Sequence, residues 1–317
     1  MTAKPDAGSA TATISGRIAK IRNYIARAWP LYAMFMPGLV ALAIFSYYPM
    51  YGVVMAFQDY NPGLGFIKSP WVGLENFRII FSNPDFYNIL RNTLVIATTK
   101  IVTLQIAAVA LALLLNEVAV MWFKRALQTV LYLPYFLSWI VLGGILLDML
   151  SSRGVVALTF RALGLESPMF LGSNTWFVPT LTITNIWQSV GWSTIIYLAA
   201  LTAVDPQLHE AAAIDGANRW QRVRHITLPG IASTVALLAC LNLGNVLQAG
   251  FDQIFTLYNP AVYATGDILD TYVYRVGLIS ARYSLGAAIG LFKSVMGFIL
   301  IVTSYRLAAK FTDYNIF

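Results

Sequence analysis

A single cysteine, Cys240, cannot close a disulfide, and its place inside an apolar run suits packing rather than metal binding. The two histidines, His209 and His225, share one central polar stretch, so a histidine-built metal or catalytic site has almost no material. Charge is scarce as well: 11% of the residues are charged, where a soluble domain carries about 25%. No GxxxxGK[ST] pattern or other glycine-rich phosphate cradle stands at a strand–helix junction, so the chain has no recognisable nucleotide site of its own. No paired carboxylates, Ser-His-Asp set or metal-ligand cluster stands out either. These absences argue against an enzyme and leave a chain whose substance is apolar.

That substance is 58% hydrophobic, with a mean hydropathy of +0.66. The fold class expected is all-α: a polytopic membrane protein with several spans and no large soluble domain. The net charge of +7 is scattered over loops instead of gathered on one face, which is not a nucleic-acid footprint. Residues 1–13 are small and polar and are expected to be disordered. The first 28 residues hold no apolar core with a cleavage site behind it, so no removable signal peptide is expected. Ile14, Ile18, Ile21 and Ile25 recur at helical spacing opposite Arg17, Lys20 and Arg27. They predict an amphipathic helix in a tail of residues 1–28, lying on an anionic inner leaflet or packed on a partner subunit.

The spans follow from uncharged runs of about 20 residues or more. Span one lies within Trp29–Gln58, and span two covers about Asn92–Asn116 with Lys100 inside it. Span three covers about Ala126–Leu147, and span four the later part of the run ending at Val204. Span five covers about Gly230–Gly250, and span six about Ser284–Tyr305, interrupted by Lys293. Pro- and Asn-punctuated segments around 70–93, 148–175 and 252–282 read as loops on the opposite side from the termini. The terminal side holds Lys4, Arg17, Lys20, Arg22, Arg27, Lys124, Arg125, Arg219, Arg222, Arg224, Arg306 and Lys310. The opposite loops hold fewer basic residues over longer segments, so both termini are expected to be cytoplasmic.

Between spans four and five lies EAAAIDGANRWQRVRHITLP, residues 210–229. Asp205-Pro206 opens a helix, with Asp as N-cap and Pro at the first helical position, and Asp215-Gly216 stops it. A second short helix carrying Arg219, Arg222 and Arg224 follows, so the expectation is a compact two-helix knob. The stretch resembles the EAA loop of ABC importer permeases, EAAxxDGAx(5)FxxIxLP. Glu210, Ala211, Ala212, Asp215, Gly216, Ala217, Ile226, Leu228 and Pro229 fall on the pattern, and Val223 replaces the usual Phe. The GLENF segment, LYLPYFLSW and FDQIFTLYNPAVYATGDILDTYVYR are similar to the polysaccharide branch of sugar-importer permeases, a branch that includes alginate-importer permeases.

The resemblance implies a type I importer permease fold over 29–317, with residues 205–229 as the coupling loop that seats in an ATPase. It implies two ABC ATPase subunits that bind the ATP and Mg, so no cofactor on this chain. It implies a second, different permease, an extracytoplasmic solute-binding protein, an oligosaccharide or polysaccharide substrate, and a bacterial inner membrane. An ion-coupled secondary transporter is the alternative, but it calls for carboxylates or histidines within spans. A lipid-linked glycosyltransferase has only Asp148 and Asp252 as candidate acids.

Polar groups inside spans are costly in hydrocarbon and mark a partner or a wet path. Asn185, Gln188 and Trp192 share one helical face of span four. Asn242, Asn245 and Gln248 recur at three-residue intervals in span five, with Asp252 just beyond. Amides answer sugar hydroxyls in both directions and rings stack on pyranose faces, so these residues and Lys293 are the expected substrate path. Helix–helix hydrogen bonding is the competing use of the amides, worth only about 0.6 kcal/mol each. Lys100 is expected to snorkel from a span end. Lys293, near mid-span, needs a carboxylate of the partner subunit, backbone carbonyls or an acidic substrate.

Overall fold

A computed structural model describes residues 28–311, with side chains through residue 307. The amphipathic helix expected over 14–27 lies outside the described residues. The chain divides into two compact units, the first ending at Val54 and the second beginning at Met55; both sites described below lie in the second.

Helix α1 spans Ala28–Phe57. Its π turn at Ala43–Tyr47 comes just ahead of Pro49, and a second π turn at Val223–Thr227 comes just ahead of Pro229. Proline donates no backbone hydrogen bond and crowds the preceding turn, so a widened turn lets the helix continue past it.

Helix α2 runs from Pro84 to Asn116, starting well before the expected Asn92. Asn83 caps it by accepting from the Asp85 N–H at 3.0 Å, and Pro84 takes the first helical position. Proline and asparagine, which suggested a loop, are here the start signals of the helix.

The third passage is not one helix. Helices α3 (Met121–Tyr132) and α4 (Trp139–Leu150) are separated by a 3-10 turn at Leu133–Phe136, where Pro134 interrupts the run. At 12 residues each, each reaches only about 18 Å, short of a core about 30 Å thick.

Helix α5 (Asn174–Thr202) carries span four. A short helix α6 (Pro206–Ile214) follows. The next run, α7, is continuous from Arg219 to Leu243 through the π turn. The chain then turns over 244–250 and re-enters a helix as α8 (Phe251–Leu257). Helix α9 (Leu269–Val273) passes into a π turn at Tyr274–Ile279, and α10 (Tyr283–Phe311) closes the described chain.

Five stretches are long and apolar enough to cross a membrane: α1, α2, Trp139–Ala162, α7 and α10. Helix α5 has the length, at 29 residues, but is more polar. Its threonines are satisfied internally: Thr180, Thr182, Thr184 and Thr194 each donate to the carbonyl four residues back. Counting α5, the long stretches number six among the described residues, as expected, but the third is displaced. Trp139–Ala162, made of α4 and a short helix Val155–Ala162, lies later than the expected Ala126–Leu147. No strand occurs among the described residues.

Helices α2 and α5 pack along one another more extensively than any other pair. Ala108 and Ala112 of α2 meet Tyr197 and Leu201 of α5, with Ile231 of α7 against them. Ile96, Phe177, Leu181 and Ile254 form a second buried cluster. Lipid is as apolar as leucine, so close van der Waals fit, with small residues letting backbones approach, holds these helices together.

Candidate functional site

The polar loop between α5 and α7 is built by local hydrogen bonds. Asp205 accepts from the Gln207 N–H at 2.9 Å and caps α6. At the other end Gly216 adopts φ +79°. The Ala217 N–H donates to the Ala212 carbonyl at 2.8 Å and the Gly216 N–H to Ala213 at 3.1 Å. This is the left-handed helix stop that glycine adopts at least cost. Asn218 and Gln221 then cap the next helix reciprocally, at 2.9 and 2.7 Å.

The expected knob of two short helices is corrected: the second is the first turn of α7, since the π turn carries the helix past Pro229. Glu210, Ala211, Asp215 and Gly216 are exposed, and Ala212 and Ala217 half-buried. An open cleft of about 380 Å³ runs between Ala212, Asp215, Gly216, Arg222 and His225. Leu208, Ile214 and Trp220, in the same stretch, are exposed, Ile214 at 87%. The sequence reading did not single out these three apolar residues, although apolar side chains in so polar a stretch were a signal. Arg219 reaches Glu117 at the end of α2 at 3.6 Å, an exposed pair worth under about 1 kcal/mol.

A second site lies where α7 has ended. The helix stops at Leu243, so Asn245 and Gln248 fall in the following turn and do not share a helical face with Asn242. Their backbones build that turn instead: the Asn245 N–H donates to the Asn242 carbonyl at 3.0 Å, and Gln248 to Asn245 at 2.8 Å. Gln248 lines a cavity of about 550 Å³ together with Phe251, Asp270, Tyr274 and Lys293.

Lys293 donates to the Asp270 carboxylate. Their side chains are 22% and 26% exposed, so both charges are mostly desolvated yet reachable from the cavity. The partner is thus a carboxylate of this same chain. The sequence pattern does not show this pairing, because Asp270 sits in a segment whose composition reads as a loop, while α9 folds that segment back onto α10.

Lys100 does not snorkel. With α2 starting at Pro84, it lies in the middle of the helix, 7% exposed, and donates to the Ala249 carbonyl at 2.7 Å. Its ammonium sits 2.9 Å from where a side chain on Gly250 would begin, and Gly250 itself has φ +90°. Both facts tie residue 250 to glycine. Replacing Lys100 with Met leaves a buried carbonyl unpaired and should cost about 1–3 kcal/mol. Thermal unfolding of the purified complex checks this: an unchanged midpoint would refute the clamp.

The span-four residues are placed differently. Asn185 is half-buried and Gln188 is buried, its amide oxygen accepting from the Ser189 hydroxyl. Trp192 stacks on Tyr135 with ring centres 4.7 Å apart and planes 1° from parallel, so it pins the α3–α4 break to α5. None of the three lines the cavity of Gln248 and Lys293, and no hydrogen bond among the described residues joins them to Asn242, Asn245 or Gln248. Asp252 is exposed and outside the cavity lining. Gln253, which the sequence reading passed over, is the buried link: its amide donates to the Leu181 carbonyl and the Thr184 hydroxyl, each at 2.8 Å.

The chain's features find their counterpart in known proteins. Residues 86–313 match the family described as the binding-protein-dependent transport system inner membrane component. The chain belongs to this family. It is therefore a membrane-embedded, multi-pass permease, and its family is one of transport components, not of enzymes.

Protein LplB of Bacillus subtilis strain 168 is 44% identical over 288 residues, covering 90% of this permease and 91% of the relative. The polygalacturonan/rhamnogalacturonan transport system permease YteP of the same organism is 42% identical, covering 90% of each chain. A chain in the crystal structure of a bacterial ABC transporter that imports the acidic polysaccharide alginate is also similar. It superposes with a TM-score of 0.83 at 37% identity, over 92% of this permease and 99% of that chain. The six-span importer permease fold expected above therefore stands.

Proposed function

We propose that this permease is the transmembrane subunit of an ABC importer for an oligosaccharide handed over by an extracytoplasmic binding protein. The observation that carries the reading is the cavity at the α7–α8 turn, where an amide, an ion pair and two aromatic rings converge on one space. Hydroxyls meet Gln248, Asp270 and Lys293, and pyranose faces meet Phe251 and Tyr274. Relatives named for polygalacturonan and rhamnogalacturonan transport, and for alginate import together with a saccharide-bound periplasmic protein, support this substrate class.

Two ATPase subunits bind the nucleotide and seat the exposed surface of Glu210, Ala211, Ala212, Asp215, Gly216 and Ala217. A second, different permease completes the path, and the termini face the cytoplasm. Asn242, Asn245, Gln248 and Lys293 lie on the path. Asn185, Gln188, Trp192 and Asp252 do not line the cavity, and Gln188 and Trp192 have partners of their own. Helix α7 links both sites, since its first turn belongs to the coupling loop and its last residue precedes the turn that carries Gln248.

The test is uptake by proteoliposomes holding both permeases, the ATPases and the binding protein. ATP-dependent accumulation of an oligosaccharide is expected, with none when ATP is omitted. Uptake by this chain alone without nucleotide would overturn the reading. A second measurement places the path. With Cys240 replaced by Ser, cysteines at 245 and 248 should react with water-soluble thiol reagents at rates that change with bound nucleotide. Inert thiols in every state would move the path elsewhere.

A further inference from the structure

Five aromatic rings stand in unbroken contact, Phe251 and Tyr274 in the cavity wall and Phe255, Tyr258 and Tyr263 beyond it. Phe251, in its wall, stacks on Phe255 with centres 5.0 Å apart and planes at 19°. Phe255 meets Tyr274 edge-on at 4.9 Å and Tyr258 at 6.1 Å. Tyr258 lies 5.1 Å from Tyr263, and the Arg275 guanidinium sits 4.5 Å over the Tyr263 ring. That guanidinium also donates to the buried carboxylate of Asp267, which fixes it in place. The series therefore begins at the ion pair of Asp270 and Lys293 and ends at a held cation.

The rings are not closed over by the chain's own packing. Phe255, the central ring, is 38% exposed, and Phe251, Tyr258, Tyr263 and Tyr274 are each only half-buried. A core cluster closes over its rings, as happens here at Phe86 and Phe177, which are 1% and 0% exposed. Half-open rings in series suit a ligand that presents repeated apolar faces with a hydroxyl edge, which describes a chain of pyranose units. Burial, with Tyr263 alongside, pushes the Tyr258 hydroxyl up to about 12, so it stays neutral, its proton turned to Tyr263 and its oxygen able to accept from a sugar.

Resting on the importer reading above, we infer that Phe251, Phe255, Tyr274, Tyr258 and Tyr263 form a stacking track. It guides successive sugar units of an oligosaccharide from the 258–263 loop into the cavity of Gln248, Asp270 and Lys293. The rings give affinity without fixing register, because stacking on a pyranose face tolerates sliding from one unit to the next. The ion pair at the inner end supplies the polar recognition that the track lacks.

The experiment uses the complete importer in proteoliposomes, with alginate and polygalacturonate di- and pentasaccharides presented by the binding protein and uptake normalised to assembled complex. Phe255→Leu and Tyr258→Leu keep apolar bulk but remove a ring. Each should slow pentasaccharide uptake about three- to tenfold, the range of one aromatic contact, and disaccharide uptake less. Phe255→Tyr keeps the face and should stay within about twofold of the parent. Undiminished pentasaccharide uptake in both leucine variants overturns the track. So do equal losses in Phe255→Leu and Phe255→Tyr, which mean packing and not stacking. If the unaltered importer accumulates no oligosaccharide with ATP, the importer reading itself fails, and that is seen before any variant is made.

Discussion

Gly216→Val should lower ATP-driven uptake at least about tenfold while leaving membrane insertion and assembly with the second permease close to normal. Residue 216 has φ +79°, and nothing lies within 4 Å of where its side chain would start, so the penalty is backbone strain and not a clash. A left-handed conformation costs an ordinary residue about 1–2 kcal/mol, and a β-branched one more. The cheapest escape is to let α6 run on or unwind, which breaks the Ala217–Ala212 hydrogen bond and turns the exposed face of Glu210, Ala211 and Ile214. The spans gain their packing elsewhere and should not notice. Gly216→Asn, which tolerates the left-handed region better, should fall between the two. Sugar-stimulated ATP hydrolysis measures the loss directly: normal stimulation in the valine variant removes this loop from coupling.

Lys293→Leu should destabilise the permease by about 1–3 kcal/mol, less than the cost of breaking a fully buried pair, because roughly a quarter of each side chain still reaches solvent. It leaves the Asp270 carboxylate facing a cavity with its cation gone. The double variant Lys293→Leu/Asp270→Leu removes both charges and should recover most of that stability, as apolar replacements of an ion pair commonly do. Uptake should not recover, because the polar end of the proposed path is gone in both. Thermal unfolding of the solubilised complex separates the two effects. A double variant as unstable as the single one shows that the pair is not the relevant contact.

The parts of this molecule that were legible in its sequence are those whose causes are local. Asp205 and Pro206 start a helix, and Gly216 stops one, because capping and the left-handed turn are settled within a few residues. The loop that carries Glu210 and Asp215 could be read with its surroundings unknown. Span four shows where locality fails: Trp192 sits on the expected face but is taken up by Tyr135, which a break in the preceding passage delivers to it. Span five shows it again. Its apolar run continues to Gly250, yet the helix ends at Leu243, and the three-residue stripe built on it dissolves into a turn.

By itself the sequence determined that the chain is helical and embedded in a membrane, approximately where the six passages run, and which polar loop projects between the fourth and fifth. Apolar run length and capping residues suffice for that, since a membrane admits only helices or closed barrels and local signals set where helices begin. The tertiary structure decided what the charges and amides do. Lys293 finds Asp270 across 23 residues, Lys100 finds Ala249 across 149, and Gln253 finds Leu181 across 72. The physical reason is that a polar group in hydrocarbon must be satisfied by whatever the packing brings within hydrogen-bond reach, and no local pattern encodes which distant segment that will be.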